Sequence, residues 1–151
     1  MKKQTRTIGS IVKIELNNGY HTYGRVLSDA SFAIYDCRTN IEIQDPEIIV
    51  QKPILFIVAV YDSAVKNGRW LKVFNLPLEK ELERLPFKYI QDKLDPNKFQ
   101  IYDNGNIRPA SKEECVGLER AAVWEPEHVE ERIIDYYEGR NNKWVELFAL
   151  K

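Results

Sequence analysis

The chain has 151 residues, 44% of them hydrophobic and 30% charged, with 22 Lys plus Arg against 23 Asp plus Glu and a formal net charge of −1. That length and composition describe one ordinary globular domain with enough chain to bury a core. They exclude intrinsic disorder, which needs low hydrophobicity and high net charge, and they argue against a general nucleic-acid or membrane-surface binder.

The first elements read as strands. Val12, Ile14 and Leu16 alternate with Lys13 and Glu15, the period-2 pattern of a half-buried strand. Lys13 and Glu15 also interrupt the stretch from Ile8 to Leu16, so the basic start Lys2, Lys3, Arg6 is not a signal peptide. Asn17-Asn18-Gly19 supplies a hairpin turn, and the return strand runs from Tyr20 to Leu27. Gly24 inside it predicts a bulge or strong bend. Ser28-Asp29-Ala30 turns the chain into a third strand at Phe32–Tyr35. Three short sequential strands predict a curled or barrel-like antiparallel sheet.

Further strands are expected over the apolar run Ile54–Tyr61, over Trp70–Phe74 after the Asn67-Gly68 turn, over Phe87–Gln91 and over Phe99–Tyr102. The run 54–61 is less than half a membrane span, so no integral membrane protein is expected, and a cytoplasmic location is. Pro77 and Pro86 confine Leu78–Leu85 to a short helix or turn. Asp103-Asn104-Gly105-Asn106 is a tight turn, Ser111 and Glu114 fit a capping box, and Gly117–Trp124 reads as a strand. Pro126 and Gly139 then bracket the clearest helix, residues 126–138. The fold class is α+β and β-rich, in a single domain over 1–151.

At 100° per residue from Val129, helix positions Ile133, Tyr136 and Tyr137 fall on one predicted buried face. Glu127, Glu131, Asp135 and Glu138 fall opposite, as a continuous acidic stripe flanked by Glu130 and Ile134. Like charges at i,i+4 cost roughly 0.2–0.5 kcal/mol per pair. Such a stripe is either a solvated face or a docking surface for a basic partner. Charge is also uneven along the chain. Residues 1–25 hold five basic side chains against one acid, and residues 112–138 hold nine acids against three basic ones.

Chemistry-bearing patterns are few. His21 and His128 are isolated, with no HxH or HExxH spacing. GxGxxG, GxxxxGK[ST] and GxSxG are all missing, and no cofactor is expected. Cys37 and Cys115 lack CxxC spacing and read as reduced, buried, apolar residues. His21, Tyr23 and Arg25 share one strand face and form a secondary candidate surface, as in single-stranded nucleic-acid or ligand platforms. Trp70, Trp124 and Trp144 read as core anchors. Asp36, Arg38, Glu119 and Arg120 are candidates for buried ion pairs.

The blocks GSIVKIEL (9–16), GYHTYGRVL (19–27), FAIYD (32–36), KNGRW (66–70), FQIYDNGNIRPASKEECVGLERAAVW (99–124) and PEHVEERI (126–133) resemble the immunity protein 26 family of bacterial polymorphic toxin systems. The resemblance covers roughly residues 6–148, and its most specific part runs from the IYDNG turn to the acidic helix. It implies a small cytoplasmic antidote that binds a cognate toxin domain and blocks it sterically. Many such toxins are nucleases with basic clefts, which an acidic surface would suit. The expected contact residues are Glu127, Glu130, Glu131, Ile134, Asp135 and Glu138. The family label also carries a phosphotriesterase association, but this chain lacks the histidine cluster of a binuclear metal hydrolase. Two alternatives stand beside this reading. One is a small barrel-like nucleic-acid or ligand binder using Tyr23 and Arg25. The other is a hydrolase working through Cys37, Cys115 or a carboxylate.

Overall fold

Two tight turns and alternating apolar residues build the first three strands in the computed structural model, which describes residues 2–151. β1 (Ser10–Glu15) and β2 (His21–Val26) are joined through Asn18 (φ 59°) and Gly19 (φ 78°). β3 (Ser31–Tyr35) follows through Asp29 (φ 51°) and Ala30 (φ 58°). Two successive left-handed residues match the right-handed twist of paired strands.

The chain continues through α1 (Pro46–Val50), β4 (Ile54–Val60), α2 (Ser63–Lys66), β5 (Leu71–Asn75) and α3 (Lys80–Glu83). It then forms β6 (Lys88–Gln91), β7 (Phe99–Asp103), β8 (Asn106–Ala110), α4 (Lys112–Cys115), β9 (Glu119–Arg120) and β10 (Val123–Trp124). α5 (Pro126–Glu138) and α6 (Lys143–Leu147) complete it. The elements are those of a β-rich α+β protein.

The strands form two open sheets and do not close into a barrel. The larger has the order β10-β4-β3-β2-β1-β5, the smaller β8-β7-β6-β9. Hairpins make most pairs antiparallel, but β10 runs parallel to β4 and β9 parallel to β6. The segment read as one strand over 117–124 is thus two short ones. It leaves the small sheet at Arg120 and joins the large sheet at Val123, so residues 119–124 stitch the sheets together.

Gly24 makes no bulge. It pairs in regular register with Val12 on one side and Ile34 on the other. A Cβ there would stand 3.3 Å from Ala33 O, Ile14 Cδ1 and Ile34 Cδ1, so the residue is small because its neighbours are close. The register shifts lie elsewhere, at Ile11/Val12 against β5 and at Ile34/Tyr35 against β4.

The large sheet is covered on both faces. Val12, Ile14, Val26, Phe32, Ile34, Phe56 and Val58 pack with Trp70, Trp124, Val129 and Ile133 on the side of α5. On the other side Ile11, Tyr23 and Tyr35 pack with Cys37 and Ile49, and Leu27 and Ala33 with Leu82. β1 is therefore buried on both faces, not the half-buried strand its alternation suggested. Tyr89, Phe99, Ile101 and Cys115 form the separate core of the small sheet.

α5 keeps its predicted bounds. Pro126 occupies its first turn, and Gly139 (φ 71°) ends it in the left-handed conformation that residues with a Cβ adopt at a cost. Val129 and Ile133 anchor it to the sheet, each contributing about 1.5–3 kcal/mol of burial. Tyr137 packs beside them, but Tyr136 is 56% exposed, contrary to its place in the helical wheel. α6 had no counterpart in the sequence reading. Asn142 caps it, accepting from the Trp144 and Val145 N–H groups.

Candidate functional site

The acidic residues of α5 divide into those that hold the helix down and those that face outward. Glu130 belongs to the first group. Arg69 donates to it from Nε and Nη2, each at 2.8 Å, and the Trp70 indole N–H donates at 2.9 Å. Its side chain keeps only 14% exposure. Asp135 accepts from Asn142 Nδ2 at 2.9 Å and pairs with Arg140 at 3.2 Å, fixing the turn into α6. Glu131 accepts from the Trp144 indole at 2.7 Å while remaining exposed. The Trp144 ring stacks on His128 at 3.6 Å between centroids. Trp144 is thus an anchor for α6 rather than part of the deep core that holds Trp70 and Trp124.

Glu127 and Glu138 are the least committed. Glu127 lies 3.5 Å from Arg69, which is already engaged by Glu130, and Glu138 lies 4.0 Å from Arg38. Both acids are exposed. Ile134 is half-buried between the two groups. Six acids (Glu125, Glu127, Glu130, Glu131, Asp135, Glu138) face three arginines (Arg38, Arg69, Arg140), so this side of the molecule keeps an acidic surplus. Lys143 lies over the Trp144 ring, 4.7 Å from its centroid. Arg132 points the other way, paired with Glu119 at 2.8 Å and stacked over Phe56 at 3.8 Å.

The secondary candidate surface is not a surface. His21, Tyr23 and Arg25 do share a face of β2, but all three are buried. His21 Nε2 and the Tyr23 hydroxyl are 3.1 Å apart, and that hydroxyl accepts from the Ile43 N–H. Arg25 is fully buried. Its guanidinium donates to the carbonyls of Gly9, Leu76 and Pro77 and pairs with Glu79 at 3.0 Å. Residues 36–53, which include α1, and residues 76–85, which include α3, cover this face, and its polar groups find partners in their backbones. These three side chains therefore offer bases no exposed platform.

The other singled-out residues also have structural partners. Asp36 accepts from the Tyr137 hydroxyl at 2.7 Å, and Arg120 donates to the Phe148 carbonyl at 3.2 Å. Arg38 lies over the rings of Tyr20 and Tyr137. These four thus pair with other residues and not with one another. Cys37 and Cys115 are free and buried, and burial pushes both thiols above their ordinary pKa. Among the described residues no cluster of three or more His, Cys, Asp or Glu side chains could hold a metal ion. No helix there is long and apolar enough to cross a membrane.

No curated protein and no solved structure matches this chain. The family model described as immunity protein 26 matches residues 7–100, which covers β1 to β6 and the start of β7. The acidic helix lies beyond the matched stretch. More than half of the chain is matched, and on that ground the protein belongs to the immunity protein 26 family.

Proposed function

We propose that this protein acts in the cytoplasm as an antidote that binds a cognate toxin domain and covers its active site, with α5 as the contact face. The supporting observation is the acidic surplus left on α5 after its internal pairs are counted. Glu127, Glu131 and Glu138 are exposed there, beside the half-buried Ile134. Glu130 and Asp135 set the helix in place and contribute to the field. Charge complementarity favours a partner with a basic surface, such as the phosphate-binding cleft of a nuclease. Complementary fields chiefly raise the association rate and select the partner.

The test uses a candidate toxin domain taken from the neighbouring genes. Glu127→Lys and Glu138→Lys together should slow association by about tenfold or more at low salt, with less effect on dissociation. The deficit should shrink as salt rises. An unchanged association rate removes α5 from the interface. Absence of any complex with the intact protein removes the antidote reading itself.

A further inference from the structure

A second feature lies where the two sheets meet. Lys88 of β6 is only 4% exposed, yet among the described residues its ammonium makes neither an ion pair nor a hydrogen bond. It lines a cavity of about 230 Å³ together with Asp29, Ala30, Ala59, Tyr102 and the 121–123 stitch. The space exists because half of the lining residues are alanine: Ala30, Ala59, Ala121 and Ala122 fill little of it. It exceeds the roughly 150 Å³ cavity that accommodates a benzene ring.

The cavity wall carries one cation, Lys88, and one anion, Asp29. Asp62 is paired with Lys66 at 2.9 Å, and Glu119 with Arg132 at 2.8 Å. Arg6 lies nearby but outside this wall, facing Asp62 as well as Asp29. Arg6 carries a buried Nε with no hydrogen-bond partner, although its Nη2 donates to the Ser31 carbonyl at 2.9 Å. The Asp29 carboxylate is engaged by the Tyr102 hydroxyl at 2.8 Å. Burial pushes the Lys88 ammonium below its usual pKa, with Asp29 and Glu119 too distant to do more than oppose the shift. An ammonium that opens on the cavity from an otherwise buried side chain, with no carboxylate within pairing distance, gains from a bound anion.

We propose that this cavity is a binding site for one carboxylate group, with Lys88 Nζ as its hydrogen-bond donor. The walls suit a small or singly projecting acid, because the alanines and Val123 give its carbon chain an apolar lining beside the ammonium. The carboxylate comes either from a free small acid or from a side chain of another protein. This site is separate from α5 and does not depend on the toxin-binding reading.

Amide and methyl NMR titrations test the assignment. The probes are propionate, the capped peptide N-acetyl-Gly-Glu-Gly-amide, and neutral propionamide. Propionate or the peptide should shift the signals of Ala30, Ala59, Ala122 and Val123 saturably, with a dissociation constant on the order of 1–10 mM. Saturation by propionate alone assigns a small free acid, and tighter saturation by the peptide assigns a protein side chain. Lys88→Met should weaken binding at least tenfold. Ala122→Met, which fills the cavity and leaves the ammonium in place, should do the same. Equal shifts with propionamide, shifts that survive both substitutions, or no saturable shift with either acid would overturn the proposal.

Discussion

Arg69 and Glu130 form a two-pronged ion pair, both hydrogen bonds 2.8 Å long, that ties the approach to β5 to the middle of α5. The Trp70 indole shares the same carboxylate while its ring lies in the core against Phe32, 5.1 Å away and at 90°. One carboxylate thus terminates both a charged fork and a buried indole.

Glu130→Ala leaves that indole and guanidinium without their acceptor. It should destabilise the protein by about 2–3 kcal/mol, since hydrogen bonds to charged groups contribute roughly 1.5–3 kcal/mol. Glu127→Ala, at an exposed site, should stay within about 0.5 kcal/mol. Urea denaturation distinguishes them. Equal losses would show that the whole acidic stripe is structural.

Arg25 should be among the least replaceable charged residues. It serves three backbone carbonyls, the Tyr35 hydroxyl and Glu79 from a fully buried position. Arg25→Ala should cost about 3–5 kcal/mol, as when a buried ion pair loses one partner. Arg25→Lys should recover little, because a single ammonium cannot replace the planar fork. Retention of the wild-type urea midpoint in Arg25→Lys would contradict this.

The alkaline limb of the stability profile follows from the tyrosines. Burial raises Tyr23, Tyr35, Tyr89 and Tyr137 above the ordinary 10.0, and for Tyr102 the leading cause is its hydrogen bond to Asp29. The unfolded chain releases those protons near 10.0 while the folded one still holds them. Their contribution is complete below that pH and is lost as pH rises toward the raised values. Lys88, lowered by burial, works oppositely up to its ordinary 10.5. Urea midpoints should therefore fall steeply above about pH 10.5, and Tyr137→Phe should flatten the fall. A profile level through that range would refute the assignment.

The two thiols should be silent in the native state. Both are buried, and burial raises both pKa values, so little thiolate forms and little is reachable. An aromatic disulfide reagent should react with neither at neutral pH in buffer and with both in urea. Rapid native labelling of either would reopen a nucleophilic role.

Local signals in the sequence were faithful guides. Asn18-Gly19, Asp29-Ala30, the Ser111–Glu114 capping box and the Pro126–Gly139 bracket each specify structure within a few residues, and each is present. Long-range partners carry no such signal. Arg25 sits on a strand whose alternation says nothing of its charge being enclosed by carbonyls some fifty residues away. Glu130 flanks the acidic stripe on the helical wheel, and only the position of Arg69 reveals it as an anchor of the helix. The parallel strands β9 and β10 are too short for periodicity to register. Gly24 signals a bulge or bend that the strand does not have, because its small size serves close cross-strand neighbours instead.

The family match stops at residue 100, but the core of the larger sheet does not. Trp124, Val129 and Ile133 lie in the same cluster as Val12, Phe32, Phe56 and Val58. During synthesis, five of the six strands emerge with one apolar face still bare. The ribosome must add the residues from 100 to Ile133 before a lid exists, a wait of roughly 2–7 s at ~5–20 residues per second. A chain cut after β7 would keep its hairpins and lose that lid, leaving a sticky sheet in place of a folded protein. Truncations should therefore fail by aggregation, even though they retain the stretch by which the family is known.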